Sequence, residues 1–226
     1  MADYEIQLSN RSGQTTQYDI IASPPMGAVV GSTPFSVVLL ESPKVANNGV
    51  ATFQMKGTLW GVCGTSPGVP LADGGNVRAT EAKAFDKMQG ETLIIDMQGD
   101  QPAFENNVGA GSGVGNQIQT TTFPFDPNFN AFCGVGRQTP DSLITPTAIW
   151  LMRPSMMYQV VQQPIFYLFP GNIVPGTIVD FSTATAVSAK IDFTNSSTNI
   201  CQVIHNADGT FTVTIMEDVR GGESTS

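Results

Sequence analysis

Charge is scarce in this sequence. Asp, Glu, Lys and Arg supply 13% of its 226 residues, against about 25% in an ordinary soluble domain. Positive charge is scarcest of all. Ten basic residues, spread from Arg11 to Arg220 without a cluster, face nineteen acidic ones and leave a formal net charge of −9. A nucleic-acid surface must neutralise phosphates with a basic patch, so nucleic acid is excluded as a partner. Anionic membrane surfaces are disfavoured for the same reason.

Long apolar runs are also missing. The longest, Ala148–Met152 and Ile165–Phe169, are bounded by Arg153, Pro154, Pro164 and Pro170. A spanning helix needs about 20 apolar residues, so no membrane span is expected. The N-terminus, Met1-Ala2-Asp3-Tyr4-Glu5, has neither a basic nor an apolar leader region. That predicts a cytoplasmic chain, or a secreted one if a leader has been removed.

The residues that hold metals and do nucleophilic chemistry are few. Cys63, Cys133 and Cys201 lie about 70 residues apart, which suits neither a disulfide framework nor a metal knuckle. They read as small buried hydrophobes in a reducing compartment. His205 is the single histidine; neither a metal nor a cofactor is expected. Cys201 and His205 share a strand face about 13 Å apart, too far for proton transfer. His205 is expected to bond Asp208 or the main chain at a hairpin end.

Loop motifs fail in the same way. Gly109, Gly111, Gly113 and Gly115 alternate with small residues, but no helix and no lysine follow to cradle a phosphate. Gly111-Ser112-Gly113 lacks the spacing of a serine elbow. Asp126, Asn128 and Asn130 open like a calcium loop, yet Ala131 stands where glycine must turn the chain, so a simple turn is expected.

What the sequence does contain is alternation. Tyr4, Ile6 and Leu8 alternate with Glu5, Gln7 and Ser9, and Phe211, Val213 and Ile215 with Thr210, Thr212 and Thr214. Period two with one wet face is the strand signature. Fourteen to sixteen strands are expected, in an all-β fold: a multi-stranded antiparallel β-sandwich, with room for two packed sheets and long connecting loops. One domain over 1–220 is expected, with a subdivision near 100–115 as the alternative, and a frayed tail at 221–226. The first 23 residues read as a hairpin, residues 51–63 as another, and Val187–Ile215 as a three-stranded meander. Asp100–Gly115 reads as a flexible loop, Gln117–Thr122 as an exposed strand, Thr177–Phe181 as a strand, and Val77–Phe85 as irregular, with a strand or a helical turn as alternatives.

Three functions fit. Low charge, Gln/Asn/Ser/Thr surfaces and strands apolar on both faces around Tyr158–Phe169 point to a non-enzymatic structural or self-associating protein, with a second copy of the chain as partner, because little charge must be desolvated at such an interface. The alternative is a carbohydrate-binding, lectin-like module, in which Trp60, Trp150 or Tyr158 stacks on a glycan and Asn106, Asn107 or Asn128 supplies polar contacts. The third is a glycan hydrolase with paired carboxylates drawn from Asp96, Asp180, Asp192 and Glu91, which lie on or near strands. Phe123, Phe125, Phe129 and Phe132 form an aromatic cluster that serves the core or a ligand platform.

Overall fold

The alternating segments are realised as strands, seventeen among the described residues and numbered in chain order. The computed structural model describes residues 3–25, 33–85, 90–110 and 115–216. The strands form three sheets. One has four strands in the order β17 (Phe211–Ile215), β16 (Ile200–His205), β1 (Tyr4–Asn10), β4 (Val50–Met55). The largest has nine. Its order is β15 (Ala189–Asp192), β13 (Ile165–Pro170), β2 (Tyr18–Ala22), β3 (Phe35–Glu41), β11 (Ile144–Leu151), β10 (Phe132–Gln138), β5 (Leu59–Gly64), β6 (Glu81–Ala84), with β14 (Ile178–Val179) added to β3. The third runs β12 (Met157–Val160), β9 (Asn116–Thr120), β7 (Glu91–Gln98), β8 (Gln101–Ala110). The fold is all-β, in packed sheets of mostly antiparallel strands; β1 with β16 and β7 with β9 pair in parallel.

The nine-stranded sheet is the spine. Tyr18, Ile20, Leu168 and Phe166 on one of its faces pack against Ile6, Leu8, Phe53 and Val203 of the four-stranded sheet. Cys133, Val135, Ala148 and Trp150 pack against Leu93, Ile95, Ile118 and Tyr158 of the third sheet. These two sets lie on opposite faces. Ile21 pairs with Val38 and Ser36 with Ala148, so the Ala148 side continues the side of Ile21, the neighbour of Ile20 that points the other way. Each smaller sheet therefore covers one half of the spine from opposite sides. The exposed remainders are closed by short pieces. Helix α1 (Phe181–Ala186) brings Ala184 over Ile21, Val38 and Phe169, and the loop residues Leu71 and Val77 cover Phe132 and Ile149.

Several local expectations are corrected by pairing. The opening hairpin does not form: β1 pairs with β16 and β4, whereas β2 pairs with β13 and β3 in another sheet. Nor do β4 and β5 pair, since β5 lies between β10 and β6. The C-terminal meander is half right. β16 and β17 are a hairpin, closed at Asn206-Ala207-Asp208-Gly209 with Gly209 at φ +82°, but β15 pairs with β13. Asp100–Gly115 is largely β8, hydrogen-bonded to β7; residues 111–114 lie outside the described residues, as does the 221–226 tail. The Gln117–Thr122 segment is interior, with Gln117, Ile118 and Thr120 buried between β12 and β7. Val77–Phe85 supplies the edge strand β6. Thr177–Phe181 is extended only at Ile178–Val179, because the Asp180 carboxylate accepts from Thr183 N (2.7 Å) and starts α1.

Candidate interaction surface

The side chains that could carry chemistry are occupied locally. Cys63, Cys133 and Cys201 are free thiols in the core. Burial pushes Cys63 and Cys201 up to about 12 and Cys133 well above its ordinary value, so none holds a thiolate at neutral pH. Cys63 and Cys133 face each other across β5 and β10. The partner of His205 is Tyr18 rather than Asp208 or the main chain: Nδ1 lies 2.8 Å from the Tyr18 hydroxyl. The ring stacks on Phe211 at 4.5 Å. Burial pulls this imidazole below its ordinary value, against the raising influence of Asp208.

Three of the named carboxylates have separate local partners. Asp96 accepts from the Thr121 hydroxyl. Asp180 caps α1 and is drawn down to about 2 by the hydrogen bonds from Ser182 and Thr183. Asp192 pairs with Lys190 at 3.2 Å. Glu91 is buried at the start of β7. Asp96 does line a cavity of about 590 Å³ with Asp100, Asp126, Phe123, Phe125 and Phe129. Part of the aromatic cluster thus borders solvent, with Phe125 exposed. Asp126, Asn128 and Asn130 form the expected turn, in which Asp126 Oδ1 accepts from Asn128 N at 2.8 Å.

The five residues named for a ligand are dispersed. Trp150 and Tyr158 are inside the core, their rings 5.4 Å apart, and neither has a face for a sugar. The Tyr158 hydroxyl donates to Leu151 O and accepts from Arg153 N. Trp60 is half-buried on β5, with Nε1 enclosed. Asn128 is exposed in the 127–129 turn, and Asn107 is on β8 with its side chain outside the described atoms.

A surface that the sequence reading did not assemble comes from register. On the outer side of the four-stranded sheet, Thr214, Gln202, Gln7 and Thr52 form one continuous cross-strand row. Thr212, Ile204, Ser9 and Val50 form the next, with Val50 76% exposed. Ile200, Glu5 and Gln54 form a third. Glu5 is the one ionisable side chain in these rows, and its carboxylate accepts from Gln7 Nε2 (2.7 Å) and Gln54 Nε2 (3.0 Å), which hold it below the usual carboxylate range. The alternation of each strand was the available signal; what joined the strands into rows was pairing between segments up to 195 residues apart, from Glu5 to Ile200.

Comparison of the chain with known protein families, with curated proteins and with solved structures finds no match.

Proposed function

We propose that this protein is a non-enzymatic structural module that acts by associating with itself through its four-stranded sheet. The observation that carries this reading is the outer face of that sheet: one carboxylate among eleven residues of the three rows, in a chain of net charge −9. A contact through more acidic surface would bring like charges together. Here two copies meet through Thr, Gln, Ser, Ile and Val, which need little desolvation and repel weakly. Both edges of this sheet also lack the proline and charged residues with which edge strands are ordinarily blunted.

The test is mass in solution. Sedimentation velocity over about 10 μM to about 1 mM, the range of weak protein contacts, should show reversible growth from monomer to dimer. A strict monomer throughout that range overturns the reading.

A further inference from the structure

The edge strand β17 carries this reading one step further, to a partner and a register. Among the described residues β17 pairs only with β16. Met216 N–H donates to Ile200 C=O (3.0 Å), and Asn206 N–H to Thr210 C=O (2.8 Å). Hydrogen-bonded pairs recur every second residue in an antiparallel ladder. Thr212 and Thr214 therefore spend their main-chain groups on β16, and those of Phe211, Val213 and Ile215 point away from it and have no partner among the described residues, with β15 lying close by.

The other sheet edges are poorer templates. β15 carries Lys190 and Asp192, and β8 carries Pro102 and Glu105. On β6, Glu81 and Lys83 are bonded to the main chain at Phe104 and Glu105. β12 is four residues long. The far end of β4 is tied down, since Lys56 N–H donates to Gln138 C=O and Lys56 Nζ pairs with Asp3. β17 has no proline and no charge.

We propose, on the basis of the self-association reading, that β17 pairs antiparallel with β17 of a second copy about a two-fold axis through Val213. This occupant is chosen because the strand is complementary to itself. Centring on Val213 sets Val213 opposite Val213 and Phe211 opposite Ile215, all residues with outward main-chain groups, so every pair at those positions exchanges both hydrogen bonds. Thr212 falls opposite Thr214 on the outer face, and no ionisable residue of β17 meets another. The two sheets become one of eight strands. A five-residue strand pair buries less than the roughly 800 Å² per partner of a standard interface, so the dimer forms in the micromolar to millimolar range.

The register gives a test by charge, read as the dimer dissociation constant in sedimentation of the full chain. Thr212→Lys with Thr214→Lys sets ammonium groups opposite each other twice and should weaken the dimer about tenfold or more. That change lowers the magnitude of the net charge, so a contact governed by overall charge would tighten instead. Thr212→Glu with Thr214→Lys sets opposite charges across the axis and should restore association. Both positions are exposed, so the fold should survive, with far-ultraviolet circular dichroism as the control. Val213→Pro removes an N–H that no described residue accepts and should abolish the dimer. If the chain dimerises and the double-lysine variant and Val213→Pro dimerise as the parent does, edge pairing is overturned while self-association stands. If the parent chain is a strict monomer, both fall.

Discussion

Asp19 is a carboxylate whose chemistry departs far from the ordinary. It is fully buried on β2, where Oδ2 accepts from Ile173 N (3.1 Å) and Oδ1 has no partner among the described residues. Burial pushes it up to about 7, and Glu41, its cross-strand neighbour on β3, adds to the rise. A folded value above the unfolded one, about 3.9, means that the folded state binds the proton more tightly. The resulting stability is complete below about pH 4 and is lost as pH rises through about 7. Asp19→Asn keeps the acceptor for Ile173 and removes the buried charge. It should be more stable than the parent at pH 8 by about 1–4 kcal/mol and nearly equal to it below about pH 4, measured by urea unfolding. His205 titrates in the opposite sense but is common to both chains and cancels in the comparison. Nothing in the alternation of Thr16, Tyr18 and Ile20 singled out Asp19; that it is sealed beneath the segment holding Ile173 depends on contacts 154 residues away.

At the scale of the element, close approach of strands decides which glycines are replaceable. A Cβ on Gly134 of β10 would stand 2.2 Å from Ala148 O and 2.8 Å from Ile149 Cα on β11, and main chain has no rotamer with which to yield. Gly134→Ala should cost about 3 kcal/mol or more, or prevent folding. A Cβ on Gly209 meets open space, and only its positive φ resists substitution, so Gly209→Ala should cost about 1 kcal/mol. Thermal unfolding of the two variants checks the ranking. The last hairpin was legible because a glycine turn four residues long names both its strands. The opening hairpin misled because Asn10–Gly13 is also a turn, yet β1 and β2 leave it into different sheets. Turn chemistry bends the chain without choosing the strand's partner.

For the whole molecule, net charge opposes what the sheet edge favours. Two chains of charge −9 repel over a screening length of about 30 Å at 10 mM salt and about 8 Å at 150 mM. Association through an uncharged edge should therefore strengthen several-fold between those salt concentrations. A contact built on ion pairs would weaken over the same range, and sedimentation at both ionic strengths distinguishes the two.

The sequence by itself determined most of the strands, the alternation along β1 and β17, the burial of the thiols and the poverty of charge. Those properties follow from side chains that alternate along one extended segment, and no partner is needed to read them. The tertiary structure alone decided the three-sheet arrangement, the two parallel pairs, the burial of Trp150 and Tyr158 and the uncharged rows from β4 to β17. Each of these is a matter of which strand lies beside which. Main-chain hydrogen bonds are the same for every residue, so that choice is made by packing between segments far apart in the chain.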